Sequence, residues 1–429
     1  MPTCCCSAFT WEHLGAKAVT LRLIAASLLS LPTTTAASDA AESLAELRLQ
    51  VARLADRVAA LEGENQAMRK TAVSRSEVST RIDPDAEAAD DGRFRLAGDF
   101  RYRYEDIDEQ GRDDHKRTRI RARANVESDL SDELTIGFGL ATGGASPTSS
   151  TQTLGDGGSK KEIALDLAYA DWTPVEGLHV QAGKIQNPMI QVPSHTVMWD
   201  DEWRPQGLAL RYRNEILFAT FLGTWLESDS LAPAREWAAG AHGGIYRPFG
   251  RNRLTAGVGY FEFDTTGKGT FSGSDVGFAG NEFDCANPLD TTSCVHVLDY
   301  REMEFFAALD VERDAYSTML YGHYVQNLDA ERLDSGWTAG VRLQTYWQGQ
   351  PLQFDYFYRS LDADAVYGQL TDSDFGGGGS DAEGHYMKAG ITISPGWQLS
   401  LAWFDNRIGA GAGMARDYHR LQLNADFSY

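Results

Sequence analysis

Past residue 40 the chain has no run approaching the roughly 20 apolar residues a spanning helix needs, which excludes a helical membrane protein. Positive charge is also scarce. Lys and Arg total 39 against 61 Asp and Glu, a net charge of −22, and so acidic a chain would repel the phosphates of a nucleic acid. Cysteine is rarer still, with five in 429 residues, three of them (Cys4, Cys5, Cys6) in the first ten. Catalytic patterns are missing as well. The nine histidines are scattered, and no nucleophile elbow, metal triad or phosphate loop occurs, so no catalytic residue, metal or cofactor is expected.

The N-terminus has the form of an export signal. Lys17 and Arg22 precede or edge the apolar run Leu23 to Leu31, Pro32 and small residues follow, and cleavage is expected after Ala37, giving a signal peptide over 1–37. Cys285 and Cys294 are then the surviving cysteines, and in an exported chain they are expected to form a disulfide closing a short loop. A metal site would need more ligands than nearby His296.

Residues 38–70 carry a heptad: Leu44, Val51, Val58 and Asn65 on one seam position, Leu47, Leu54, Leu61 and Met68 on the other. That is the pattern of a short coiled coil, expected to oligomerise in the periplasm; a solitary amphipathic helix is the alternative. Residues 71–92, rich in Ser, Asp and Ala, are expected to be a linker.

From residue 93 to 429 the apolar period becomes two. In FRLAGDFRYRYED, Phe94, Leu96, Phe100, Tyr102 and Tyr104 share one face, while Arg95, Asp99, Arg101, Arg103 and Glu105 share the other. The closing RLQLNADFSY alternates in the same way, Leu421, Leu423, Ala425, Phe427 and Tyr429 against Arg420, Gln422, Asn424, Asp426 and Ser428. About sixteen such strands are expected, at roughly 93–105, 117–128, 132–142, 161–173, 177–186, 207–213, 215–227, 235–246, 252–264, 300–311, 313–326, 335–346, 351–361, 383–393, 397–407 and 417–429. Their connections alternate between tight turns such as DLSDE, PVEG and QGQP and long or flexible segments at 143–160, 187–206, 265–299 and 362–382. A soluble sandwich has no reason to sort loop length in this way. A transmembrane antiparallel β-barrel does, because every second connection lies on the same side of the membrane. The expected fold class is therefore all-β, a closed barrel with a water-filled lumen, preceded by the helix.

Two groups on the polar face are the candidate site. Arg95, Arg101 and Arg103 on the first strand and Arg117, Arg119, Arg121 and Arg123 on the second would form a basic wall lining the pore, able to bias it towards anions. The structural alternative is a ladder neutralised by Asp99, Glu105 and Glu127. The connection QNPMIQVPSHTVMWDDEWRPQG carries Asp200, Asp201 and Glu202 between Trp199 and Trp203. Folded inward it would set these carboxylates across from the arginines; left outside it would be a solvated acidic cluster.

The segments DLAYADWTP, VQAGKIQNP and the terminal LNADFSY resemble those of Gram-negative outer-membrane porins, most like the "putative porin" family, over roughly residues 93–429. The resemblance implies a homotrimer of 16-stranded barrels in the outer membrane, passive diffusion of small hydrophilic solutes, and a constriction loop after the fifth strand. It also implies outer-membrane lipid and lipopolysaccharide as surroundings, and a barrel-assembly machinery that recognises the last strand by its terminal aromatic. That residue is Tyr429 here, where Phe is commoner. The competing reading is a structural or adhesive barrel with a plugged lumen, binding a partner through loops 265–299 and 362–382.

Overall fold

A computed structural model describes Arg57, which is helical, and residues 94–429 except 194–196, 229–234 and 272–276. The expected signal peptide, coiled coil and linker lie, but for Arg57, outside the described residues.

Among the described residues sixteen wall strands follow one another, the first eight being Phe94–Glu109, His115–Ser131, Leu134–Thr142, Ile163–Val175, Leu178–Lys184, Gln206–Arg213, Leu217–Glu227 and Glu236–Phe249. The second eight are Asn252–Phe263, Tyr300–Glu312, Tyr316–Asn327, Ser335–Trp347, Gln350–Leu361, Ala382–Ser394, Trp397–Ile408 and Arg416–Ser428. Each pairs antiparallel with its neighbours in sequence. The first also pairs with the last, in the register Arg101 with Asp426 and Arg103 with Asn424, so the sheet is a closed barrel. Closure leaves no unpaired edge, which a strand surrounded by lipid could not sustain. At the seam Tyr429 N donates to Gly98 O (3.1 Å) and Gly98 N to Tyr429 O (3.2 Å). Gly98 leaves room there for the Tyr429 ring, where a Cβ would collide.

Connections at one end (132–133, 176–177, 214–216, 250–251, 313–315, 348–349 and 395–396) have two or three residues, and the long segments are all at the other. The expected alternation is therefore present, with shifted boundaries. The first two strands run to Glu109 and from His115, longer than the sequence pattern marks, while the fifth stops at Lys184. There the next residue, Ile185, turns inside and is buried.

The faces are inverted relative to a water-soluble sheet. Phe100, Tyr102, Phe138, Leu208, Phe221, Phe354, Leu401 and Leu423 are exposed, and so are Trp172, Trp337, Trp347, Trp397, Trp403 and Tyr429. Buried polar side chains such as Arg103, Glu105, Arg121, Glu304, Arg359 and Arg420 lie on the opposite face. Sixteen strands enclose more space than wall side chains fill. Here much of it is occupied by two long loops, and the buried apolar residues gather around these loops instead of under the wall.

Candidate functional site

On the inner face the first two strands bring like charges into register, Arg101 opposite Arg121 and Arg103 opposite Arg119. Repulsion there is offset by carboxylates interleaved on the same and adjoining strands. Arg95 is paired with Glu127 and Asp129, Arg121 with Asp99 (2.8 Å), Arg123 with Asp99 (2.6 Å) and Arg101 with Asp426. Glu105, fully buried, receives Arg117 and Arg420, with Arg103 at 3.4 Å and Arg119 at 3.8 Å. The seven expected pore-lining arginines therefore all project inward, but none stands as a bare positive charge. Arg420 of the last strand belongs to the same network, and Asp374 joins it from a loop, 2.9 Å from Arg420 and 3.2 Å from Arg103.

The loop 185–205 enters the barrel after the fifth strand. Its apolar residues hold it there: Met198, Trp199 and Trp203 are buried, the two indoles stacked at 4.7 Å with Trp199 edge-on to Phe261 at 5.1 Å. Ile190 N donates to His242 Nε2 (3.1 Å), which leaves the ring proton on Nδ1, 3.3 Å from Glu304 Oε1. Glu304 also faces His323 Nε2 at 3.0 Å. One buried carboxylate thus holds in place the histidine that fastens the loop.

The three loop carboxylates differ in place and state. Glu202 reaches the wall, paired with Arg121 and accepting from Ser150 N. Burial would raise its carboxyl, but Arg121, Arg123 and Arg101 outweigh that and hold it well below the usual carboxylate range. Asp200 turns away from the arginines of the first two strands. It accepts from Glu202 N (2.7 Å) and Ser373 N (2.9 Å), and burial, with Glu202 and Asp372 close by, pushes it well above the usual range. Asp201 is exposed. The expected acidic row facing a basic wall is corrected to one carboxylate on the wall, one between loops and one towards solvent.

The segment 362–381, expected to be a flexible or external loop, is corrected too. It is folded into the barrel and almost wholly buried. Val366, Tyr367 and Leu370 pack with Trp199, and Phe375 with Phe357. Thr371 Oγ1 donates to Val197 O (2.7 Å) and Asp200 N to Leu370 O (2.8 Å), so the two inward loops brace each other. The glycine run is tight: Gly376 to Gly379 all have positive φ, and a Cβ on Gly379 would strike Ala279 O. Asn281 of the neighbouring long loop locks the fold, donating to Ala363 O and Val366 O, both at 2.8 Å, and accepting from Gly368 N. Apolar residues spaced through an otherwise polar stretch (Val366, Tyr367, Leu370, Phe375) were the available signal.

Cys285 and Cys294 are disulfide-bonded within a small hairpin, Phe283–Cys285 paired with Cys294–His296. Beside them His296 is buried among Phe278, Tyr300 and Tyr367, neither ring nitrogen has a hydrogen-bond partner among the described residues, and burial lowers it to about 4. A metal cluster of His, Cys, Asp or Glu is absent among the described residues.

The comparisons with known proteins bear on the family and the fold. A family model described as "Putative porin" matches residues 107–284 and 281–427. No curated protein matches the chain. Among solved structures, the high-pH structure of OprB from Pseudomonas putida is similar with a TM-score of 0.53 at 11% identity, covering 78% of this chain and 94% of that one. The trimer form of OmpT from Vibrio cholerae has a TM-score of 0.48 at 10% identity, covering 79% and 100%. The daunomycin complex of OmpF from Salmonella typhi has 0.46 at 11%, covering 78% and 97%. At these identities the likeness to OprB is one of fold. With the family model spanning both halves of the barrel, the chain belongs to the "Putative porin" family of outer-membrane channels.

Proposed function

We propose that the protein is a narrow diffusion channel for small hydrophilic solutes and ions, with a weak preference for anions and no enzymatic activity. The observation that carries this is the contact of Glu202 with Arg121: an inward loop reaches the basic wall and narrows the passage beside it. Charges of both signs across a constriction order water and polar solutes. Because carboxylates accompany every arginine of the first two strands, the preference for anions is small. Arg95, Arg101 and Arg117, the less buried members, and Asp201 of the loop meet the permeating solution.

Purified protein added to a planar bilayer is expected to give stepwise conductance, and no steps at high protein and salt would sink the reading. In a salt gradient the reversal potential is expected slightly on the anion side and to move towards cations in Arg101→Glu. An unchanged potential would leave the arginines a structural role only.

Burial of 362–381 inside the lumen favours one second reading, a structural barrel whose plug blocks permeation, with 265–299 as the outer surface that meets a partner. Absent conductance, together with partner binding that is lost when this loop is trimmed, would establish it. The rest of the reading follows the sequence and the family resemblance: export by the signal ending at Ala37, a periplasmic coiled coil, and assembly through the last strand and Tyr429. Three copies in outer-membrane lipid and lipopolysaccharide complete it, and light scattering of the detergent-solubilised protein tests the trimer.

A further inference from the structure

The barrel wall opens where its fifth strand ends, and a cavity occupies the opening. That strand stops at Lys184, which is paired with Ala168 on one side and Gln206 on the other. Beyond it the chain turns inward, so residues 163–167 of the fourth strand have no strand beside them on that edge. Arg204 spans part of the gap, its Nε donating to Asp166 Oδ2 at 3.3 Å. The cavity has a volume of about 310 Å³, at the small end for ligand sites. It is bordered by these strand ends, by the inward loop and by the segment 144–150.

The polar part of the lining is short of acceptors. Lys184 lines the cavity and has no hydrogen bond or ion pair among the described residues. Arg204 and Trp203, 7% and 4% exposed, line it too. Arg204 donates through Nε and Nη1, which leaves Nη2 without an acceptor among the described residues, and the Trp203 indole N–H has none there either. Against these three donors stands one carboxylate oxygen without a hydrogen bond, Asp166 Oδ1. Charge leads the same way. Arg204 is balanced by Asp166, and Glu202, the other acid of the lining, by Arg121, so the Lys184 ammonium is left uncompensated. The rest of the lining is largely apolar, with Leu226, Phe271 and Leu370 in one packed cluster with Trp203. An inorganic anion would engage the donors and leave that half empty. A carboxylate on an apolar body suits both, its two oxygens accepting from more than one donor where little water screens the charge.

We infer that this cavity is a binding site for a small organic carboxylate with an apolar body, held by Lys184, Arg204 and Trp203. Benzoate is the probe, titrated calorimetrically into the detergent-solubilised full chain against a blank of empty micelles, with tryptophan emission as a second readout because Trp203 and Trp225 line the cavity. Saturable binding is expected. Acetate, whose body is one methyl group, and benzamide, which lacks the charge, should each bind about tenfold or more weakly. Lys184→Gln should lower benzoate affinity about tenfold or more, the loss of one charge-assisted hydrogen bond, while Lys184→Arg keeps most of it. Retained heat-modifiable mobility on gels shows that each variant still forms the barrel. Equal benzoate affinity in wild type and Lys184→Gln would overturn the assignment, and so would equal affinity for benzoate and either analogue. Stepwise conductance with neither heat of binding nor a change in emission would overturn the site and leave the channel standing. Benzoate binding that Lys184→Gln weakens, with no steps in any salt, would overturn the channel reading and keep the site.

Discussion

Neighbouring residues of one loop behave as opposites because of what each faces. Glu202 is surrounded by guanidinium groups and stays ionised, while Asp200, two residues away, is buried among backbone amides and other acids and favours its protonated form. Glu202→Gln removes one of the partners of Arg121 and leaves that side chain with Asp99 alone. Breaking one side of a buried pair costs about 3–5 kcal/mol, so the variant is expected to show faster amide exchange over 186–205 and a larger, noisier single-channel conductance. Unchanged exchange would mean that the aromatic packing alone holds the loop. His296 gives a pH dependence whose sign is fixed by its surroundings. Its value is depressed to about 4 in the folded hairpin from an ordinary 6.5, so its contribution is complete above 6.5 and is lost as pH falls from there through 4. The loss reaches about 2 kcal/mol at pH 5. Limited proteolysis of the hairpin should therefore speed up between pH 7 and pH 5 in the wild type and stay level in His296→Phe, which keeps an aromatic ring in the same nest.

Elements were legible in proportion to how long their pattern ran. A period of two sustained over ten residues, with sorted connection lengths, is enough to mark a membrane wall, and the closing strand with Tyr429 was readable as one side of its seam. The inward loop after the fifth strand could be picked out because tryptophans and prolines in so long a connection do not suit a solvated tail. The segment 362–381 could not, because its Asp, Ser and Gly outnumber the six apolar residues that bury it. What the sequence left open was pairing across distance. Asp374 is far from Arg103 and Arg420 along the chain, and only the closed barrel brings them together. The bracing of the two loops is testable through Leu370, which is 1% exposed and packs with Trp199 and Tyr367. Leu370→Ala is expected to cost about 2–5 kcal/mol of loop attachment, read as faster exchange across 362–381 with no change in exchange along the wall strands. Equal loosening of the wall would show that the plug and the barrel fold as one unit.

At the scale of the whole molecule, apolar side chains face outward to lipid and charges face inward, so stability of the wall rests on backbone pairing and on how the inner charges are balanced. Glu105 sits at the centre of that balance. It is fully buried, and it gathers Arg103 from its own strand, Arg117 and Arg119 from the second and Arg420 from the last, across the seam that closes the barrel. Without it four guanidinium groups on three adjacent strands would repel one another inside a low-dielectric wall, with Asp374 as the remaining carboxylate nearby. Glu105→Gln is therefore expected to destabilise closure by about 3–5 kcal/mol, seen as a lower temperature at which the folded band on a gel converts to the unfolded one. Replacing Arg420 as well, in Glu105→Gln with Arg420→Gln, removes one of the stranded charges and should recover part of the loss, so that the double variant is more stable than Glu105→Gln alone. If the two losses simply add, the charges on either side of the seam act independently, and the barrel is closed by its backbone ladder without help from the network inside it.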